Sequence, residues 1–225
     1  MSLTLMTYNI KNGGGGRLGG IGDVIAGAAP DVVAVQELRG EPDVGAATGL
    51  RQLVARSWRG QPVGLLIRPE LPVLAAGRIA RPFFHAAAWA RIATPLGPLT
   101  VVSAHLFPYW GWVRRVEAGW LAAFVRRQGE TVLLGDLNTR DERDGRVLAR
   151  LARCGLVDVF RRCGAGPGWT VPTTRGGGAG FPAPLRLDYV LATPGVAGRF
   201  SECRVVTGGA AEAASDHYPL VARAA

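Results

Sequence analysis

Short apolar runs alternate with breaks rich in Gly, Pro and Asp along most of the chain. Runs of this length, rich in Val, Leu and Ile, are typical of β-strands separated by turns. The predicted strands cover residues 3–9, 31–36, 63–67, 87–92, 99–105, 131–135, 187–191 and 218–222.

Several segments between these runs have the three-to-four-residue spacing of amphipathic helices. The clearest puts Val113, Val116, Trp120 and Phe124 on one face, with arginines on the other. In another, Asp144 occupies the position of an N-cap. The predicted helices cover residues 21–29, 43–56 (a weaker pattern), 113–127 and 144–154.

The order of the elements indicates how they assemble. Strands follow one another without a helix over residues 63–105, whereas strand–helix–strand segments occur elsewhere, which favours mixed sheets. We therefore predict a single α/β domain over residues 1–225. Neither a run of about 20 apolar residues nor a secretory leader is visible, and we expect a soluble, cytoplasmic monomer. The Gly-rich stretch 175–184 is predicted to be a loop.

The composition adds a charge signal. Lys and Arg number 26 against 17 Asp and Glu, for a net charge of +9, and Lys11 is the one lysine. Arginine suits phosphate oxygens and a positive field attracts polyanions, which favours a phosphate-bearing partner, although nucleotide composition alone can also enrich arginine. Three cysteines without metal-ligand spacing are expected to be reduced thiols: Cys154, Cys163 and Cys203.

The stretch GGGGRLGG at residues 13–20 raises one alternative. Gly14, Gly16 and Gly19 have the spacing G-x-G-x-x-G after a predicted strand, and Glu37 follows about 20 residues on, as in a dinucleotide site. Since Gly makes up 32 of the 225 residues, this spacing alone is a weak signal. The glycines also suit a turn between the first strand and the following helix.

Polar residues of catalytic type lie at the ends of six predicted strands. Singly, each has an ordinary explanation as a turn former, a helix cap or a structural histidine. Together they predict one pocket at the edge of a sheet. These residues are Asn9, Glu37, His105, Asp136 with Asn138, Asp188, and Asp216 with His217.

The strings around these residues resemble the endonuclease/exonuclease/phosphatase superfamily, the DNase I-like group. In chain order they are TYNI (7–10), VQEL (35–38), SAHL (103–106), GDLNT (135–139), RLDYVLA (186–192) and SDHYP (215–219). GDLNT followed by SDHYP is the most specific of these signals. The resemblance implies a four-layer α/β sandwich, with two mixed sheets face to face and helices outside.

The resemblance also implies a division of labour for hydrolysis of a phosphoester. Glu37 would hold a hard divalent cation, Mg²⁺ with Mn²⁺ as a substitute, with Asn9 and Asp216 at the same metal centre. Such a cation neutralises phosphate charge during in-line attack by water.

The remaining residues would handle the water and the phosphate. By the same resemblance, His217 acts as general base or phosphate-side partner and is oriented by Asp188, while Asp136 aligns the attacking water. Asn138 and His105 would donate hydrogen bonds to phosphoryl oxygens.

The chain departs from the family pattern at three positions. Members of the abasic-endonuclease type carry a polar residue such as Asp where this chain has Lys11, and Tyr where it has His105. Members of the DNase I type support that histidine with a Glu, and our alignment places Gln61 there. His105 is therefore expected to be a hydrogen-bond donor rather than a full general acid.

Candidate substrate-binding residues surround these motifs. Tyr109, Trp110 and Arg114 follow His105, and Trp169 begins the long loop before Asp188. Such aromatics could stack on bases, insert into a lipid surface, or pack a helix, as Trp112 and Trp120 could. Arg17, in the glycine run, is placed near the substrate.

Three classes of function follow. A metal-dependent phosphodiesterase acting on nucleic acid is slightly favoured. The alternatives are a hydrolase of small phosphate esters or phospholipid headgroups, and a non-catalytic or dinucleotide-binding protein.

Overall fold

Two six-stranded mixed sheets form the centre of the molecule. The computed structural model describes residues 2–140, 145–173 and 183–225. The first sheet has the order β11-β12-β1-β2-β4-β3 and the second the order β5-β6-β7-β8-β10-β9. The strands are β1 (Leu3–Asn9), β2 (Val32–Gln36), β3 (Arg51–Ala55), β4 (Val63–Ile67), β5 (Val73–Arg78), β6 (Ala87–Thr94), β7 (Gly97–His105), β8 (Thr131–Asp136), β9 (Val157–Asp158), β10 (Asp188–Ala192), β11 (Phe200–Val205) and β12 (Leu220–Ala224).

Helices flank the two sheets. They are α1 (Leu18–Ala28), α2 (Val44–Thr48), α3 (Gly111–Val125), α4 (Gly145–Ala152), α5 (Val159–Cys163), α6 (Pro194–Ala197) and α7 (Ala211–Ala214). Helices α1 and α7 pack on the first sheet, and α3 and α4 pack on the second. This arrangement of helix, sheet, sheet and helix confirms the predicted four-layer sandwich.

The core between the sheets follows from the alternation of side chains along each strand. In β1, Leu3 and Leu5 face the opposite sheet, whereas Met6 and Tyr8 face α1. The inter-sheet cluster also takes alternate residues from β2, β4, β6, β7, β8, β10 and β12, including Val132 and Leu134 of β8. Because strands of both sheets are covered on two faces, their apolar runs are nearly continuous in the sequence.

Strand direction brings the polar ends together. β1 pairs parallel with β2, and β7 parallel with β8. Because Asn9 at the end of β1 is hydrogen-bonded to Asp136 at the end of β8, these four strands end at the same side of the sandwich. β10 and β12 run antiparallel to β8 and β1, so they begin where the others end. All six polar strand ends predicted from the sequence therefore lie at one end of the molecule, which we call the site end.

The helix predicted over residues 43–56 is wrong in its second half. Helix α2 ends at Thr48 because Gly49 adopts a left-handed conformation (φ 71°), a common helix stop. The chain then forms β3, an edge strand. The sequence prediction also missed the edge strands β5, β9 and β11. It missed the short helices α5, α6 and α7 as well.

Helix α3 buries a different face from the one predicted. Its buried side consists of Glu117, Ala118, Leu121, Ala122 and Val125, while Val116 is exposed. Trp120 does pack, edge to face, on Phe83, whereas Trp112 is exposed.

The remaining predictions at this level concern single features. The three cysteines are free thiols, and burial raises their pKa values. Asp144 and most of the loop 175–184 lie outside the described residues. Within the described ranges, no helix has the length and apolar character that a membrane crossing requires.

Candidate active site

Asp136, the last residue of β8, is the centre of the polar cluster at the site end. Its Oδ2 accepts a hydrogen bond from Asn9 Nδ2 at 3.0 Å and lies 3.4 Å from His105 Nε2 and 3.8 Å from His217 Nε2. Its Oδ1 accepts from the main-chain N of Asn138 at 2.9 Å. Three side chains from three other strand ends therefore converge on one buried carboxylate.

Gly135 makes this convergence sterically feasible. It has φ 152°, and a Cβ there would lie 1.9 Å from the carbonyl oxygen of Ala104 on β7. The glycine of GDLNT thus lets β8 approach β7 closely at the point where Asp136 and His105 pair in register.

His217 and Asp188 form a buried pair beside Asp136. His217 Nδ1 lies 2.8 Å from Asp188 Oδ2, which leaves Nε2 directed toward Asp136. Thr170 holds the main chain of Asp188 in place, because its Oγ1 accepts hydrogen bonds from the main-chain N of Leu187 and of Asp188. A carboxylate therefore lies behind an imidazole, and this contact fixes the ring's orientation and tautomer.

Asn9 and Glu37 close the cluster on the side of the first sheet. Asn9 Nδ2 donates to both Glu37 Oε1 and Asp136 Oδ2, at 3.0 Å each, while its Oδ1 accepts from Lys11 N. Asn9 thus links the two carboxylates through its amide nitrogen. Glu37 Oε2 accepts from the main-chain N of Asn12 and from Gln61 Nε2.

The glycine run forms a tight loop that supports Glu37. Every residue from Lys11 to Gly16 has positive φ, between 44° and 82°. Gly13 donates its N–H to the carbonyl oxygen of Glu37, and a Cβ on Gly13 would lie 1.9 Å from the carbonyl oxygen of Arg39. The loop is thus packed against the Glu37 backbone, beside the site as expected.

Lys11 pairs with Asp216. Lys11 Nζ lies 3.2 Å from Asp216 Oδ2. The residue that departs from the family pattern therefore places an ammonium group on a carboxylate predicted to lie at the metal centre. Ser215 holds this segment to the end of β1, since its Oγ donates to the carbonyl oxygen of Asn9 at 2.6 Å.

His85 is a neighbour of the cluster that the sequence motifs do not identify. Its ring stacks on that of His105, with centroids 4.0 Å apart and planes 4° apart. Gln61 does not support His105 as expected: its side chain donates to Glu37 and Asn12, and its main-chain N donates to His85 Nδ1. No local signal in the sequence reveals this contact between residues 20 positions apart.

Burial and charge set the protonation of the cluster. Burial lowers the pKa of His85 to about 4. Burial, with His85 and His217 nearby, also holds the pKa of His105 well below its usual value, so this ring is neutral. Burial raises the pKa of Asp136. Burial acts to lower the pKa of His217, but the carboxylates led by Asp188 outweigh it and raise that pKa.

Two sets of residues could hold a metal ion. Asp136, Asp188 and His217 offer ligand atoms that all lie within 4.8 Å of one another, and Asp188 Oδ1 is buried with no hydrogen-bond partner among the described residues. The predicted ligand Glu37 also fits a hard cation. Among the described residues, Asn9 alone donates to its Oε1, so a lone pair of that oxygen remains for a cation.

Asn138 lies in the turn that follows Asp136. It has φ 47°, in the left-handed region, and its Nδ2 donates to the carbonyl oxygen of Leu106. Within the part of the chain that the structure describes, the second amide hydrogen has no acceptor, so it can donate to another group.

The predicted aromatic segment after His105 is exposed at the site end. Tyr109 and Trp110 are 78% and 59% exposed and pack against the buried Phe107. Arg114 supports this segment by donating to the carbonyl oxygens of Phe107 and Pro108.

Arg17 and Trp169 lie elsewhere on the rim. Arg17 donates to the carbonyl oxygens of Ala214 and Lys11, so its guanidinium braces the loop of the glycine run. Trp169 is half exposed and precedes Thr170, the residue that fixes Asp188.

Comparison with solved structures finds the same fold over the whole chain. An endonuclease/exonuclease/phosphatase family protein from Bacteroides thetaiotaomicron superposes with a TM-score of 0.80 at 16% identity, covering 99% of this chain and 97% of that one. Truncated TDP2 of Caenorhabditis elegans gives a TM-score of 0.79 at 16% identity, covering 100% and 97%. A mannosyl-6-phosphatase of B. thetaiotaomicron gives 0.79 at 16% identity, covering 98% of each chain.

Comparison at the sequence level supports the same relationship. No curated protein sequence matches the chain. The model of the Endonuclease/Exonuclease/phosphatase family matches residues 6–217, a span that contains every strand-end residue described above. The chain therefore belongs to the endonuclease/exonuclease/phosphatase family.

Proposed function

We propose that the protein is a divalent-metal-dependent phosphodiesterase that acts on nucleic acid, with Mg²⁺ as the metal and Mn²⁺ as a substitute. The observation that carries the proposal is the convergence of Asn9, His105 and His217 on the buried Asp136, with Asp188 behind His217. This set supplies an acceptor for the proton of water and donors for phosphoryl oxygens.

The metal would be held by Glu37, with Asn9 and Asp216 nearby. When bound, such a cation withdraws charge from the phosphate. Asn9 would turn its amide oxygen toward the cation in place of Lys11 N. Lys11 already neutralises Asp216 through its ammonium group, which favours a single cation on the Glu37 side.

The chain's own groups divide the remaining work. Asp136, whose pKa is raised by burial, is suited to align a water molecule and accept its proton near neutral pH. His217 keeps its proton because of Asp188, and this charge favours the phosphate-side role over that of general base. His105, being neutral, and Asn138 donate hydrogen bonds to phosphoryl oxygens.

Nucleic acid is favoured as the substrate by charge and by the exposed aromatics. The net charge is +9, and Tyr109, Trp110 and Trp169 lie exposed around the site. Aromatic side chains beside arginines are typical of surfaces that bind single strands. The structural neighbours include TDP2 and also a protein named as a mannosyl-6-phosphatase. A small phosphate ester is therefore the alternative substrate to test.

A single assay panel tests the proposal. The protein is incubated with Mg²⁺ and with plasmid DNA, RNA, bis(4-nitrophenyl) phosphate, sphingomyelin and mannose 6-phosphate in parallel. We expect cleavage of nucleic acid and of the aryl diester, abolished by EDTA, and a fall of about 10²–10⁴-fold in kcat for His217→Ala. Release of phosphate from the sugar ester alone would replace the proposal by a phosphatase.

Metal binding is measured separately from turnover. Glu37→Gln should abolish the heat of Mg²⁺ binding in calorimetry. The matched control Glu70→Gln should retain it, because Glu70 is exposed and lies away from the cluster. Equal Mg²⁺ affinity in both variants would contradict the assignment of Glu37.

A further inference from the structure

A second concave surface lies next to the polar cluster. It is a cavity of about 460 Å³ between the end of β3 and the connection from β5 to β6. Both parts belong to the site end, because β3 ends opposite the start of β4, and β6 begins opposite the end of β7. We call it the arginine–tryptophan groove; its principal lining residues are Arg56, Trp58, Arg78, Arg81, Phe83 and His85.

The ring of His85 separates the groove from His105 of the polar cluster. His85 lines the groove and stacks at 4.0 Å on His105, whose Nε2 lies 3.4 Å from Asp136 Oδ2. A molecule in the groove is therefore adjacent to one bound at Asp136.

The groove is strongly basic. Its lining contains three arginines and no acidic residue. Arg56 is paired with Glu41, whereas Arg78 and Arg81 are exposed and form no ion pair with any residue in the described ranges. Two such planar cations in the lining of one groove suit phosphate oxygens.

Trp58 supplies an aromatic surface beside these arginines. Its side chain is 77% exposed, and the guanidinium of Arg59 lies 4.4 Å from its ring centroid. Exposure of the apolar indole surface to water is unfavourable. An exposed tryptophan among basic residues is typical of a platform on which an unstacked base stacks. The cavity volume of about 460 Å³ lies within the roughly 300–1,000 Å³ of small-ligand sites, a size that admits a nucleotide.

We propose that the arginine–tryptophan groove binds single-stranded nucleic acid next to the scissile phosphate. Arg78 and Arg81 contact flanking phosphates, and Trp58 stacks on a base. This inference rests on the proposed function and deepens it, because it names a strand with several phosphates as the substrate. A small monoester, with one phosphate, would leave the groove empty.

Binding of fluorescein-labelled (dT)12 in EDTA tests the groove without turnover. Each phosphate contact to a single strand contributes about 0.7 to the slope of log K against log salt. Arg78→Ala/Arg81→Ala should lower that slope by about 1.4 and weaken binding at least tenfold in low salt. Trp58→Ala should weaken binding about tenfold with an unchanged slope.

Arg126→Ala/Arg127→Ala is the matched control. These exposed arginines follow the C-terminal end of α3, opposite the site end. Their substitution removes the same charge as the groove variant. They should leave the slope unchanged. An equal loss of slope in both double variants, or wild-type binding by the groove variant, would overturn the proposal. So would binding of the wild type to anionic phospholipid vesicles through Arg78 and Arg81 without binding of (dT)12.

Turnover separates this inference from the proposed function. The ratio of kcat/KM on (dT)12 to kcat/KM on bis(4-nitrophenyl) phosphate should fall about tenfold in the groove variant and stay constant in the control. If (dT)12 binds in the groove but no ester is hydrolysed, the groove stands and the proposed function fails. If the groove variant hydrolyses both (dT)12 and bis(4-nitrophenyl) phosphate with the wild-type ratio of kcat/KM values, the groove assignment fails and the proposed function stands.

Discussion

At the scale of single residues, His85 and His105 show how the surroundings choose a protonation state. Each ring is buried, and the two stack face to face. A charge on either ring would be poorly hydrated and would repel one on the other. The pair therefore stays neutral, and this provides His105 with a donor N–H without the carboxylate that DNase I-type members place behind it.

The first prediction concerns the acid stability of His85→Phe. Burial lowers the pKa of His85 to about 4 in the folded protein, against about 6.5 when unfolded. The neutral His85 therefore contributes fully to the free energy of unfolding above pH 6.5. This contribution falls as the pH drops from 6.5 toward 4, by roughly 3 kcal/mol in all. Phenylalanine keeps the stacked ring without a proton, so the variant should lose less stability over this range.

The measurement is the free energy of unfolding from urea titrations between pH 4 and 7. Wild type and His85→Phe should differ in slope by about one proton. Other groups near His85 stay the same in both proteins: His105 on its face, and Arg56, Arg78 and Arg81 in the same groove. Parallel curves would show that His85 is not the titrating group.

Not all of the site could be predicted at this scale. The identities at six strand ends follow from the motif strings, because apolar strands must lie in the core and their ends must emerge together. The contacts of Lys11 with Asp216 and of His85 with His105 could not be predicted, since each joins residues whose sequence neighbourhoods carry no common pattern. The orientation of the Asn9 amide depends likewise on hydrogen bonds across two sheets.

At the scale of elements, the loop from Lys11 to Gly16 shows where glycine is required. Gly13 and Gly16 both have positive φ, but a Cβ on Gly13 would meet the carbonyl oxygen of Arg39, whereas one on Gly16 would meet nothing within 4 Å. We expect Gly13→Ala to lower the free energy of unfolding by on the order of 3 kcal/mol. Gly16→Ala should cost about 1 kcal/mol, the conformational term alone.

Urea denaturation of the two variants measures this difference. Mg²⁺ affinity is a second readout, because Gly13 donates its N–H to Glu37 O; only Gly13→Ala should weaken it. Equal destabilisation of the two variants would show that the loop moves away from Arg39 at little cost.

Helix α3 carries a second element-scale device. Glu117 is fully buried, and its two oxygens accept from the main-chain N of Phe84 and of Phe107 at 2.9 and 2.8 Å. One carboxylate thus ties the β5–β6 connection to the segment that presents Tyr109 and Trp110.

Glu117→Gln places an amide N–H against one of those donors. The variant should lose about 2 kcal/mol of unfolding free energy, seen as a lower urea midpoint with an unchanged m-value. Glu70→Gln, on an exposed residue, should change it by less than about 0.5 kcal/mol. A stability of Glu117→Gln equal to that of the control would exclude this role.

The predictability of the elements follows burial. Strands covered on both faces, such as β1 and β4, are recognisable as apolar runs, and β4 has the predicted boundaries. β5 is an edge strand whose residues are mostly exposed, so its main-chain pairing with β6 leaves no hydrophobic pattern. In α3 the buried glutamate replaces an apolar residue, which is why the predicted face was wrong.

At the scale of the whole molecule, one core joins the two sheets. Its buried members include residues of nine strands, spread along the sequence from β1 to β12. We therefore expect the predicted single domain to unfold in one calorimetric transition, with equal calorimetric and van't Hoff enthalpies. Mg²⁺ at about 100 times its Kd should add about 2.7 kcal/mol, or roughly 5–10 °C in Tm.

Glu37→Gln should unfold in the same single transition without the Mg²⁺-dependent increase, whereas Glu70→Gln should behave as the wild type. Two resolved transitions would argue against the single domain, and an undiminished Mg²⁺ effect in Glu37→Gln would place the cation elsewhere.

The hydrogen bond from Asn9 to Asp136 joins the last residue of a strand in one sheet to the last residue of a strand in the other. The reaction centre therefore straddles the gap between the sheets, and its geometry is a measure of their spacing. Substitutions in the inter-sheet core, such as Leu134→Ala, reduce the apolar volume between the sheets. They should therefore lower turnover before the protein loses its fold. In directed evolution, selection for turnover would then also select for the volume of side chains that never meet the substrate.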